Sequence, residues 1–320
     1  YGILGADFIS FQIYDYARHF LMSVHRLLGY EDYFGQINIS DRIIKVDAFP
    51  MGIDYERIYN AVHETRVRGE VKKLREEQGN RKIILSTDRL DYTKGIPLRL
   101  KAFSTFLEKN PVYEDKITLI LVAVPSRTEV EHYKLLKKEV DELVGRINGK
   151  HGTIYWTPVK YISRYLPFHT LIALYNIADV LLITPLRDGM NLMAKEYIAT
   201  KTDGRGVLIL SEMAGAARDL GEAIIINPNN EDEIVEAIEE ALKMSEEEQL
   251  EKNRAMQARI QEYNVKRWAE RFVDTLLYIK ELQKKMNVNR LTHEKEIELV
   301  SNYQKGSRRL MLLDYDGTLI

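Results

Sequence analysis

What most limits the folds open to this chain is a succession of short apolar runs, each separated from the next by a helix-periodic segment. The runs are IILST (83–87), ITLILVAVP (117–125), TIYWTPV (153–159), VLLITP (180–185), GVLILSE (206–212) and AIIINP (223–228). They are rich in Ile, Val and Leu and apolar on both faces, as the strands of a parallel sheet covered by helices on both sides must be. Start signals mark helices between them. SRTE (126–129) has the spacing of a capping box, and so does NEDE (230–233) ahead of IVEAIEEAL. Repeated strand–helix alternation predicts a doubly wound α/β domain over residues 81–265.

Residues 1–80 hold strand-like ILGADFISF, the helical YDYARHFLMSVHRLLG and then DRIIKVDAFPMGID, which read as the C-terminal part of another α/β unit. After the central domain, residues 266–285 predict a long amphipathic helix, with Trp268, Phe272, Thr275, Leu276 and Ile279 at helical spacing. A charged, mobile linker is expected over 286–307. The chain starts at Tyr1 on a strand-like run and stops at LLDYDGTLI, so it is expected to be a fragment of something longer.

The bulk numbers exclude several classes. A net charge of -2 over 320 residues gives no electrostatic case for nucleic acid or an anionic membrane as partner. With no cysteine, disulfides and thiolate metal sites are excluded. The apolar runs are too short to span a bilayer, and no secretory signal is visible. A cytoplasmic enzyme or binding protein is the default, and a homo-oligomer is neither required nor excluded.

In open α/β sheets, ligands bind beyond the carboxyl ends of the strands. Three strand ends here carry more charge than a turn needs. STDRLDYTKG (86–95) places Arg89 and Lys94 in one loop, with Gly95 allowing close backbone approach. Two such cations can clamp a diphosphate, although Arg89 can also simply pair with Asp88 or Asp91. VAVPSRTEVEHY puts Arg127 at a helix start, either to bind an anion or as a solvated surface arginine. LRDGMNLMAKE (186–196) follows a buried strand. Gly189, Met190, Asn191 and Leu192 are expected to form the first turn of a helix whose positive end favours phosphate. Glu196, two turns past Gly189, can accept hydrogen bonds from a ribose diol, and Asp188 can hold a sugar hydroxyl. The plainer alternative pairs Arg187 with Asp188 and leaves Lys195 and Glu196 on the helix surface. Together the strand ends describe a cradle for a nucleoside-diphosphate sugar. There is no GxGxxG or GxxxxGK[ST] motif, so a nicotinamide oxidoreductase or a P-loop enzyme is not favoured.

STDRLDYTKGIPLRLKAF, VAVPSRTEVEHY, GRINGKHGTIYWTPVKYI, ALYNIADVLLITPLRDGMNLMAKEY and GVLILSEMAGAA closely resemble the trehalose-6-phosphate synthase family, as do GADFISFQIYDYARHF and AFPMGID. The resemblance covers residues 1–282. It implies the GT-B architecture of two Rossmann-like domains, the donor domain whole and the N-terminal acceptor domain partial. It further implies metal-free, cofactor-free transfer of glucose from UDP-glucose to glucose 6-phosphate with retention, giving trehalose 6-phosphate and UDP. Carried over by residue, Arg89 and Lys94 bind the donor diphosphate and Asp188 the glucose. Gly189, Met190, Asn191, Leu192 and Met193 line the donor, Glu196 takes the ribose, the backbone near Leu166 the uracil, and Arg127 the acceptor phosphate. The implied reaction uses no protein nucleophile. Arg89 and Lys94 neutralise the leaving diphosphate and Asp188 serves the reacting sugar, so these three are the catalytic candidates. A chain with this much of the acceptor domain missing is expected to be weakly active or inactive alone.

LLDYDGTL resembles the first motif of haloacid-dehalogenase-type phosphatases, with Asp314 as nucleophile and Asp316 as acid/base beside a magnesium ion. That suits a synthase fused to a trehalose-6-phosphate phosphatase of which residues 308–320 supply the first strand. Two other readings stay open: a glucosylglycerol-phosphate synthase that shares the donor, and a non-catalytic regulatory subunit of a trehalose-synthesising complex.

Overall fold

The computed structural model describes residues 2–39, 42–126, 130–288 and 293–308. The expectations for Arg127, Asp314 and Asp316 fall outside these residues.

The first sheet has four strands in the order β1-β4-β3-β2: β1 (Phe8–Phe11), β2 (Asp32–Tyr33), β3 (Gln36–Ile39) and β4 (Arg42–Ala48). Strand β1 runs parallel to β4, with Phe8 opposite Lys45, and the other pairs are antiparallel. Helix α1 (Tyr14–Leu28) packs on it and ends at Gly29, whose left-handed φ of 72° lets its N–H reach the His25 carbonyl. Strands β2 and β3 are too short and polar to stand out in the sequence.

Helices α2 (Tyr55–Ala61) and α3 (Thr65–Gln78) lead into the second sheet. Its strands are β5 (Lys82–Arg89), β6 (Ile117–Val124), β7 (Val159–Ile162), β8 (Val180–Ile183), β9 (Val207–Ser211) and β10 (Ile224–Ile226). All pair in parallel, in the order β10-β9-β8-β5-β6-β7. The doubly apolar runs are explained by two separate cores. Ile83, Leu85, Leu181, Ile183, Leu208 and Leu210 pack on one face, with α2, α3, α6 (Phe168–Ile177) and α7 (Leu192–Thr200). Ile84, Leu119, Leu121, Leu182 and Ile209 pack on the other, with α4 (Ile96–Lys109), α5 (Glu131–His151) and α8 (Glu231–Lys243). Each fully buried aliphatic side chain contributes ~1.5–3 kcal/mol, so two-sided burial makes this sheet a main source of stability. Ile53, Tyr55, Ile58 and Val67 belong to the first of these cores. Residues 53–78 therefore pack on the second sheet, although the sequence reading ends the first unit at residue 80.

After α9 (Glu246–Glu262), helix α10 (Val265–Val288) returns to the first sheet. Phe272 lies against Phe8 and Phe49, at ring centroid distances of 4.8 and 6.0 Å, and Trp268 Nε1 donates to the Phe49 carbonyl at 3.2 Å. Among the described residues, no helix is long and apolar enough to cross a membrane.

Three local expectations are corrected. TIYWTPV is largely a turn: Thr153 and Trp156 bond each other's backbones and Trp156 Nε1 donates to the Ile117 carbonyl, so the strand begins only at Val159. The linker expected over 286–307 contains helix α11 (His293–Lys305), whose acidic first turn and basic last turn suit the helix dipole. The helix expected from the SRTE box has its N-cap later, at Val130, with no side-chain cap. NEDE does cap α8, with the Asn230 side chain accepting from the Glu233 N–H.

Candidate functional site

The connection after β5 runs through α4 on one face and the connection after β8 through α7 on the other, so the carboxyl ends of these adjacent strands open into a crevice. This is the topological switch point of the sheet, where ligands of such folds bind.

Arg89 ends β5 and is exposed. Asp88 is ion-paired with Arg99 rather than with Arg89. Beyond Arg89, Asp91 caps a 3-10 turn by accepting from Thr93 N and Oγ1, at 2.9 and 2.8 Å. Burial pushes the Asp91 carboxyl up, but the Thr93 and Tyr133 hydrogen bonds and the Arg89 charge outweigh it and hold it below its ordinary value. The turn ends at Lys94, and Gly95 follows with φ at +65°. A Cβ on Gly95 would stand 2.4 Å from the Thr184 carbonyl, so only glycine lets this loop lie against the end of β8. The loops are also clipped by Leu186 N donating to the Thr93 carbonyl at 2.7 Å.

The result is a contact between two sequence-predicted residues lying 94 positions apart. Lys94 Nζ is 2.5 Å from Asp188 Oδ2. Asn191 Nδ2 donates to the same oxygen at 3.0 Å. The plainer reading, Arg187 with Asp188, is not what forms: Arg187 instead lies 5.7 Å over the Tyr16 ring of the first unit. Asp188 is anchored through its backbone, its N–H donating to Met213 and its carbonyl accepting from Gly215 N.

Helix α7 starts later than the sequence suggests. Asn191 takes a left-handed conformation (φ 72°) and its Oδ1 accepts from Ala194 N, so it is the cap and Leu192 the first helical residue. Gly189 and Met190 belong to the loop before it, and a left-handed asparagine stops the helix from extending back through them. Met193 lies in the first turn and Glu196 one turn on. Glu196 is mostly buried, which pushes its carboxyl up, while the Tyr175 hydroxyl at 3.4 Å partly offsets that. Lys195 is not on the helix surface either. It is 3% exposed, pairs with Asp219 at 2.6 Å and donates to the Met51 carbonyl at 2.9 Å, tying α7 to the first unit. Leu166 sits between β7 and α6 at the same end of the sheet, its side chain buried.

The crevice continues towards the first unit as a cavity of about 380 Å³ whose lining includes Gln12, Asp15, Gly215, Arg218 and Asp219. Lys94, Asp188 and Asn191 meet directly, with Arg89 at the end of the adjoining strand and Glu196 one turn into α7. A cation beside a carboxylate at the rim of a crevice can take a phosphate and a sugar hydroxyl side by side. Among the described residues, no group of three or more His, Asp or Glu side chains could hold a metal ion. Sequence reading missed Arg99, Tyr175 and the Lys195–Asp219 pair. Arg99 did leave a signal, since it falls on the buried stripe of α4 with Ile96, Leu100, Phe103 and Phe106.

The chain is similar to known proteins along most of its length. A bifunctional trehalose-6-phosphate synthase/phosphatase of Thermoproteus tenax is 48% identical over 322 residues, covering 100% of this chain and 44% of that protein. A UDP-forming α,α-trehalose-phosphate synthase of Burkholderia xenovorans, solved with glucose-6-phosphate, superposes with a TM-score of 0.81 at 33% identity, over 85% of this chain and 61% of the other. A trehalose-6-phosphate structure from E. coli, bound with UDP-2-fluoro glucose, gives 0.81 at 34%, over 84% and 60%. The chain thus shares the GT-B architecture of these synthases and spans less than half of the T. tenax relative. Residues 1–278 match the model of glycosyltransferase family 20, and the chain belongs to that family.

Proposed function

We propose that the chain is the transferase part of a UDP-forming α,α-trehalose-phosphate synthase, moving glucose from UDP-glucose to glucose 6-phosphate with retention. The observation that carries the reading is the Lys94–Asp188 contact at the switch point. Bound ligands in the related structures, a UDP-glucose analogue and glucose-6-phosphate, support it. In this reading Arg89 and Lys94 hold the diphosphate and neutralise the charge that grows on it as the sugar–oxygen bond breaks. Removing one such donor typically costs 10²–10³-fold in rate. Asp188, fixed by Lys94 and Asn191, accepts from a glucose hydroxyl. Glu196 accepts from the ribose diol, and Gly189, Met190, Leu192 and Met193 pass beneath the donor. The acceptor hydroxyl attacks from the face that UDP leaves, so positioning does most of the work. Arg127 takes the acceptor phosphate and the backbone near Leu166 takes the uracil. The transfer needs no cofactor, and magnesium belongs only to the phosphatase chemistry of Asp314 and Asp316. A cytoplasmic setting with small-molecule partners, and neither nucleic acid nor membrane, fits the near-neutral charge.

The test is to supply UDP-glucose with glucose 6-phosphate, or with glycerol 3-phosphate, and follow the anomeric protons by NMR. Slow formation of trehalose 6-phosphate is expected. Product from glycerol 3-phosphate alone would transfer the assignment to the glucosylglycerol-phosphate reading. A UDP-glucose spectrum that shows no contact with the chain would remove both.

A further inference from the structure

Arg99 is an arginine with nothing to touch but the protein. Its side chain and that of Asp88 are both 0% exposed. Arginine is seldom buried to this extent unless the groups it holds offset its desolvation.

The guanidinium reaches four places. Nη1 stands 2.9 Å from Asp88 Oδ2 and also donates to Ser86 Oγ. Nε donates to Thr184 Oγ1 at 3.0 Å, and Nη2 donates to the Lys94 carbonyl at 3.0 Å. Ser86 and Asp88 are the end of β5, Thr184 follows β8, and Lys94 closes the turn before α4. One planar group therefore joins the three segments that carry Arg89, Asp188 and Lys94. Asp88 holds it there. Burial raises the Asp88 carboxyl on balance, against the pull of the Arg99 and Lys94 charges, and neither Oδ1 nor Oδ2 has a hydrogen-bond partner, so the charge of Arg99 at 2.9 Å is what meets it. Gly95 leaves no slack between the Lys94 turn and Thr184, so a displacement at either is passed to the other.

We propose that Arg99, anchored on Asp88, is a positioning residue of the donor site: it fixes the backbone of Lys94 against the end of β8 and thereby sets the ammonium against Asp188. The inference rests on the donor-site reading above and adds a residue that touches no substrate. An error of about 1 Å in such a clamp can cost 10²-fold. Lysine is not an adequate replacement, because a point donor cannot reach Thr184 Oγ1 and the Lys94 carbonyl together while facing Asp88.

The test is a double-mutant cycle on UDP-glucose affinity, with folding followed by circular dichroism. Arg99→Lys is expected to weaken binding by about tenfold or more in a folded chain. In a Lys94→Ala background the same change should alter affinity by less than about twofold, because its effect passes through Lys94. Should Arg99→Lys fail to fold, Thr184→Val removes only the Nε acceptor, and a several-fold loss that disappears without Lys94 is expected. Unchanged affinity in either folded variant, or equal losses with and without Lys94, would overturn the inference. No binding by the unsubstituted chain would instead defeat the donor reading itself, and this inference with it.

Discussion

Both ends of the six-stranded sheet bury a lysine, and they satisfy it differently. At the carboxyl ends Lys94 meets the Asp188 carboxylate at the rim of a crevice. At the amino ends Lys201, 1% exposed, donates to the Asn176 and Ala178 carbonyls at 3.1 and 2.5 Å and lies 4.4 Å from the Tyr197 ring centre. Those carbonyls are the end of α6, where the helix dipole favours a cation. Burial pulls the Lys201 ammonium down from 10.5 to about 7, against the pull of Asp179 and Asp203. A carboxylate at a rim can be exchanged for a phosphate or a sugar hydroxyl, whereas carbonyls fixed in a helix end cannot. A buried charge thus marks a site only when its partner can be replaced.

Lys94→Ala gives the sharpest contrast. UDP-glucose affinity should fall about 30- to 100-fold, from the ~2–3 kcal/mol of a lost charge-assisted hydrogen bond, with stability little changed. Lys201→Met should do the reverse, losing ~2 kcal/mol in denaturant titrations and leaving affinity alone. Loss of binding in Lys201→Met comparable to that in Lys94→Ala would break the comparison.

The Lys201 arrangement also sets a pH signature. Between about 7 and 10.5 the unfolded chain binds a proton that the folded chain does not, so stability should rise with pH in that window. The slope approaches ~1.4 kcal/mol per pH unit at most. Urea midpoints at pH 7 and 9 should show this component in the unsubstituted chain and not in Lys201→Met.

In the proposed donor site Glu196 must be ionised to accept from the ribose, so UDP-glucose affinity should drop as pH falls through its raised pKa. Tyr175→Phe removes a hydrogen bond that favours the charged form and should move that limb to higher pH. A limb unmoved in a folded Tyr175→Phe chain would show that the pair is not coupled to binding. The smallest effect belongs to Lys82→Ala, at the amino ends. Its pair with Asp179 leaves the lysine 59% exposed, so less than ~1 kcal/mol of stability and no change in binding are expected.

The central sheet was legible because two-sided burial leaves unbroken apolar runs. So were the charged strand ends, because charge at the end of a buried run is costly and stands out. Other features were set by contacts distant in sequence. Val159 begins β7 because Trp156 is pinned to Ile117, and α7 starts at Leu192 because Asn191 turns left-handed, neither of which local propensity encodes. The surface alternative for Lys195 fails only because the fold brings Asp219 and Met51 to it. Residues 293–305 read as linker because their charges hid good helix formers. Strands β2 and β3 carry too few residues to show a period.

The account is tested most directly by calorimetric titration of UDP-glucose into the chain, with Arg89→Ala and Glu196→Ala beside it. The donor cradle predicts that the chain binds and that both variants lose most of the affinity. A folded chain that does not bind UDP-glucose, or variants that bind as well as the unsubstituted protein, would contradict it.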